Sequence, residues 1–360
     1  MKTLLRLLLK NHHQQNRSKS VQTEKGMTLV ELLVGVIMAF LIITPMLGFV
    51  VDMLNTDRRE QVKTNTEQDV QAALDFIAQD LSQAIYIYDN AGITAINQSP
   101  TPLPSAPNET PILVFWKRKQ IKNAVDPNQA APRTPLACDL ATPPNGPNLC
   151  DDTYVRSLVA YYLVAQNTPN NTWCQPSGNE CPSRIARYEI SEGVKDSRIP
   201  PVNANGYFSN AEVKVSQRHS PAFNSAFDWS TQPTDNVTTP VGLAGLGSEV
   251  LVNYIDHSPL VPPPPGDECQ QALGNPRAPV PGTTGTAPVP ETTLRIPPAP
   301  PDTVNSFYAC VDTARNLARV TIRGNSLRRL QPDNANYDPD RSAYFPKASV
   351  QVQGLGARGN

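Results

Sequence analysis

The chain has 360 residues, enough for one large domain or two or three small ones. A net charge of -1 removes any bulk electrostatic reason to expect nucleic acid as a partner. The 37 prolines are about twice the usual share and cluster with Ala, Thr, Asn and Gly, so the packed core is smaller than the length suggests.

Residues 1–26 form a basic leader, with Lys2, Arg6, Lys10, Arg17, Lys19 and Lys25 against the single acid Glu24. Leu4 to Leu9 is apolar but too short to span a bilayer. An apolar segment, 27–54, follows at once, and Leu32 to Val51 contains no charged side chain. As a helix that run is roughly 30 Å long, enough to cross the hydrocarbon core. Positive charge ahead of such a span keeps the N-terminus in the cytoplasm and sends the remainder across the membrane. A cleaved secretory signal and a plain anchor are the simpler readings of the segment. Neither accounts for Glu31, a carboxylate inside the span that costs about 2.5–3.5 kcal/mol at mid-bilayer and calls for a partner.

Residues 55–90 continue as an amphipathic helix. Val70, Leu74, Ile77, Leu81, Ile85 and Tyr88 recur in steps of three and four, so one helix is predicted from Met27 to about Tyr86, bent at Pro45. Residues 91–360 read as a β-rich head. Strands are predicted at 112–116, 154–165, 184–190, 212–216, 249–255, 307–311, 317–323 and 348–352, separated by Pro, Gly and Asn. Long loops are expected at 97–111, 126–152 and 258–301, the last a disordered Pro-rich segment that contains Pro262 to Pro265. A helix followed by many strands is an α+β pattern, an antiparallel sheet packed on a long helix.

All six cysteines lie beyond the apolar segment, which fits an oxidising compartment. Their order suggests Cys138 with Cys150, Cys174 with Cys181 and Cys269 with Cys310, among fifteen possible connectivities. A zinc site is the rival, but close C-x-x-C pairs are absent. No catalytic constellation stands out, and no cofactor is expected. His219 and His257 are isolated, and no G-x-S-x-G elbow is present. Asp333, Asn334, Asn336, Asp338 and Asp340 crowd oxygen ligands into one loop, which suits either Ca²⁺ or an Asx-rich turn. Tyr86, Tyr88, Tyr161, Tyr162 and Trp173 could present a sugar-binding surface or pack in the core.

Gly26-Met27-Thr28-Leu29-Val30-Glu31, followed by the apolar helix, resembles the prepilin processing motif of type IV pilins and type II secretion pseudopilins. The resemblance implies cleavage between Gly26 and Met27 by a prepilin peptidase, N-methylation of Met27, and pairing of Glu31 with a neighbouring subunit's terminal amine in a filament. The first residue after the cut is often Phe in that family and is Met27 here. The large head resembles the J-type minor pseudopilins, through Ser157 to Leu163 followed by Arg184 to Tyr188. Ala318 to Leu327 and Ser349 to Val352 are similar to the cyanobacterial hormogonium polysaccharide secretion pseudopilins. The resemblance implies a pilin-like head and no reaction of its own. It also implies a single-pass inner-membrane protein with a periplasmic head, built into an envelope or surface filament that supports polysaccharide secretion and gliding motility. Its partners would be the peptidase, other major and minor pilins or pseudopilins, the inner-membrane assembly platform and the membrane. A pilus-tip adhesin for polysaccharide or surfaces is the alternative, and an anchored enzyme is a third.

Overall fold

The computed structural model describes residues 28–98, 103, 108–126, 134–135, 150–165, 169, 171–196, 198, 201, 206–220, 223, 248–258, 266–279, 286–298 and 306–356. Contacts divide the chain into two compact units, Met1–Arg58 and Arg59–Asn360. The described part of the first is the opening of helix α1, Leu29–Ser82. Its large apolar side chains are exposed, and α1 is long and apolar enough to cross a membrane. Pro45 lies inside α1 and supplies no helical N–H. The proline leaves the Leu41 carbonyl without its i−4 donor, while the neighbouring Thr44 hydroxyl donates to the Phe40 carbonyl at 2.8 Å.

In the second unit, α1 buries one stripe made of Thr66, Val70, Ala73, Leu74, Ile77, Asp80 and Leu81. The helix ends at Ser82 rather than near Tyr86. Ile85 and Tyr88 keep the helical period, but Ala84–Ile87 forms strand β1 instead. Its Ile and Tyr side chains suit a pleated surface, and Tyr86 and Ile87 pair with Trp116 and Phe115. Sheet pairing therefore overrides periodicity over the last turn.

β1 joins β2 (Glu109–Val125), β3 (Asp151–Val164), β4 (Ser183–Ser191) and β5 (Glu249–Ile255) in a five-stranded antiparallel sheet whose spatial order is the chain order. A short helix, α2 (Asn90–Gln98), sits between β1 and β2, where no helix was predicted. Pro111 stands at a register irregularity of β2, the kind of place where a strand accepts proline.

The 258–301 segment differs most from expectation. Its described residues carry α3 (Glu268–Ala272), β6 (Arg277–Pro279), β7 (Thr286–Pro288), α4 (Glu291–Leu294) and β8 (Arg295–Ile296). These pieces are held from a distance. The Glu291 carboxylate accepts from the Cys269 and Gln270 backbone N–H groups at 2.8 and 2.9 Å, and a disulfide joins Cys269 of α3 to Cys310. Residues 262–265, the Pro run, lie outside the described residues. The predicted strand 212–216 is a turn leading into a 3-10 helix, Val215–Gln217, with Glu212 accepting from the Ser209 N–H and hydroxyl.

The second sheet contains β8, β9 (Phe307–Asp312), β10 (Leu317–Arg323) and β11 (Lys347–Gln353), ordered β11-β10-β9-β8 and antiparallel throughout. Helix α5 (Leu327–Leu330) follows β10. The sheets meet where Ile255 bridges Gly324 and the Asn325 N–H donates to the Tyr254 carbonyl at 2.7 Å. One continuous core takes the α1 stripe, the inner faces of both sheets and α2.

Gly324 sets how closely α1 approaches this junction. A Cβ there would stand 2.7 Å from Thr66 Cγ2 and 3.0 Å from Val70 Cγ2. Gly324→Ala is expected to lower stability by about 1–3 kcal/mol through overpacking, read by thermal unfolding of the full chain in detergent. An unchanged melting temperature would contradict this close approach.

Candidate functional site

The start of α1 is built as a reciprocal cap. Glu31 Nα donates to Thr28 Oγ1 at 3.3 Å, and the Glu31 carboxylate accepts from Thr28 N at 3.2 Å and from the Thr28 hydroxyl at 3.1 Å. Thr-x-x-Glu is the capping-box spacing, and it satisfies backbone donors that a helix start leaves open. The awkward carboxylate of the sequence thus has a local partner. Both bonds to the carboxylate land on Oε2, and Oε1 receives none among the described residues. Gly26 and Met27, the expected processing pair, lie outside the described residues.

A second charged centre lies in the head. Asp80 is on the apolar stripe of α1 and only 7 % exposed. It accepts from Lys117 Nζ of β2 at 2.8 Å, from the Tyr161 hydroxyl of β3 at 2.7 Å and from Arg187 Nε of β4 at 2.9 Å. Arg187 also donates to Glu189 at 2.8 Å, and Glu189 accepts from Lys119 at 2.9 Å. Two carboxylates and three cations therefore form one network across the middle of the sheet. Burial and the Asp80 carboxylate push the Tyr161 hydroxyl far above its ordinary value, so it stays a donor. Burial alone would lower Arg187, but Asp80 and Glu189 outweigh it and raise it. The signal was present in the spacing. Asp80 falls three residues after Ile77, on the buried face, and Arg187 and Glu189 stand two apart on one face of a strand.

The remaining expected residues fall into separate places. Cys174 bonds to Cys181, and Cys269 bonds to Cys310. Cys150 is disulfide-bonded, while Cys138, its expected partner, lies outside the described residues. The 174–181 loop is gripped by Arg328, fully buried, which donates to the Glu180 carbonyl and to the Pro176 carbonyl at 2.6 Å. In the loop considered for Ca²⁺, the acids serve turns. Asp338 accepts from the Asp340 N–H at 3.0 Å and pairs with Arg341 at 3.6 Å, and Asp333 accepts from the Asn179 N–H at 3.3 Å. The Asn336 amide donates to Glu180 at 3.1 Å. Among the described residues no three His, Cys, Asp or Glu side chains converge as a metal site requires. Tyr88, Tyr161 and Tyr162 are buried in the core, so they offer no surface to a sugar.

The chain matches no family model, no curated protein and no solved structure.

The charged network carries a pH dependence. Burial works to raise Glu189, but Lys117, Lys119 and Arg187 together hold it at about 2, below its ordinary 4.5. A depressed carboxylate stabilises the fold above its unfolded value, and that contribution disappears as pH falls from about 4.5 through about 2. The full-length protein in detergent is expected to lose melting temperature across that window, and Glu189→Gln to flatten part of the loss. An identical slope in the variant would show that Glu189 is not held by these cations.

Proposed function

We propose that this chain is a minor pseudopilin of the type IV pilin and type II secretion class. It is cut after Gly26 by a prepilin peptidase, held in the membrane by the first part of α1, and incorporated into a filament that supports secretion. The reading rests on one observation above the others. The Gly26 to Glu31 motif runs directly into a helix with no charge from Leu32 to Val51, and the later turns of that helix form part of the head's core. The α+β layout of helix and antiparallel sheets is compatible with a pilin-like head. The open Oε1 of Glu31 supports a role between subunits, because an opposite charge from a neighbour satisfies a carboxylate where water cannot. Polysaccharide as the exported material rests on the 318–327 and 349–352 segments, which contribute to β10, α5 and β11.

Two substitutions separate this role from helix capping. Glu31→Gln keeps an acceptor for Thr28, whereas Glu31→Ala does not, and both remove the charge. The proposal expects both variants to be absent from sheared filaments and to lower exported polysaccharide in the native host. Normal incorporation of the Gln variant would leave Glu31 as a cap alone and overturn the assembly role.

A further inference from the structure

Strand β11 is an open edge. All seven of its residues pair with β10 in unbroken register, and among the described residues no strand pairs with its other side. Natural edges are usually blunted by proline, a bulge or repeated charge. β11 has no proline or bulge, and after Lys347 it carries no charge through Gln353. Ala348, Val350 and Val352 turn inward onto the core. Such an edge offers its free backbone groups to an added strand.

The outer face beside this edge is shaped as well. A cavity of about 390 Å³ opens there between α3 and β9–β11, lined by Glu268, Tyr308, Arg319, Thr321, Lys347 and Ser349. The cavity's one acid is already engaged. Glu268 pairs with Arg295 at 2.9 Å and lies 3.7 Å from Lys347, and the Tyr308 hydroxyl donates to it. Arg319 is different. It is half-buried, has no carboxylate partner among the described residues, and donates to the Ser349 hydroxyl at 3.1 Å. Ser349 stands opposite Thr321, whereas Arg319 stands opposite Gln351. The Arg319 side chain therefore reaches diagonally over β11, toward the open edge. Adjacent strands lie about 4.8 Å apart, so an outward carboxylate on an added strand falls within reach of this guanidinium.

We propose that β11 is a docking edge for an extended segment of a partner protein, which adds as a further strand and places an Asp or Glu side chain over Ser349 to pair with Arg319. The backbone ladder supplies the attachment, and the Arg319–carboxylate pair selects acidic segments over basic ones. This is independent of the filament role of Glu31, since it concerns the head alone.

The test uses the full chain in detergent and two capped heptapeptides. Both have Val at odd positions and Thr at the second and sixth, with Glu or Lys at the fourth. Calorimetric titration is expected to show the Glu peptide binding more tightly than the Lys peptide. Arg319→Gln should weaken the Glu peptide by about tenfold or more without weakening the Lys peptide. Ser349→Glu, an exposed change that supplies Arg319 with an internal carboxylate, should abolish the preference. Equal affinity for the two peptides, or no binding of either up to about 1 mM, overturns the proposal. Self-association of the chain that is lost in Ser349→Glu also overturns it, because the occupant would then be a second copy.

Discussion

One buried carboxylate fixes how the helix lies on the sheet. Asp80 takes hydrogen bonds from three successive strands, through Lys117, Tyr161 and Arg187. A charge taken out of water has to be matched by partners in good geometry, and removing one side of such a pair typically costs about 3–5 kcal/mol. Apolar packing of Ile77 and Leu81 is non-directional and would tolerate a helix slid or rotated by a few degrees. The Asp80 contacts do not, because each donor comes from a different strand at a fixed spacing. Glu189 completes the arrangement by pairing with Lys119, which Asp80 does not reach, and with the second guanidinium nitrogen of Arg187, which Asp80 and Glu189 share.

α1 carries two compositions in one continuous element. From Thr66 its stripe belongs to the head's core, and from Leu32 to Val51 it is apolar without burial. A helix apolar all round and exposed in water is not a stable surface, so those residues need another environment, and their length and hydropathy suit a bilayer. The Thr28–Glu31 box begins this part with two of its backbone donors satisfied, the Thr28 and Glu31 N–H groups. The proposed filament role gives the remaining carboxylate oxygen a use that capping does not.

Much of this was legible in the residues. The stripe of Val70, Leu74, Ile77 and Leu81 declared the helix, and the windows at 249–255 and 317–323 coincide with β5 and β10. The helix end was not legible, because Ile85 and Tyr88 satisfy a helical period while the residues between and beside them, Ala84, Tyr86 and Ile87, find their pairing partners in β2. The elements within 258–301 were hidden for a similar reason. Pro-rich composition argues for disorder, and what orders α3 is the disulfide to Cys310, a pairing that the cysteine order suggests, together with a carboxylate from Glu291 that nothing local announces. Asp80 carries no signal of its own in composition, because an acid on an amphipathic helix is usually solvated. Its place on the apolar face, three residues from Ile77, was the available clue. The Thr-x-x-Glu spacing at Thr28 was equally readable and points to a cap, a use for Glu31 that requires no second subunit.

The account makes the segment around Gly26 a cutting point and α1 the element that both anchors and assembles. The most direct measurement is the N-terminal mass of the protein purified from its native membrane, by intact-mass and peptide mass spectrometry. The account predicts a chain that begins at a methylated Met27, with residues 1–26 gone. An intact Met1, or a terminus beyond Val51, would contradict it.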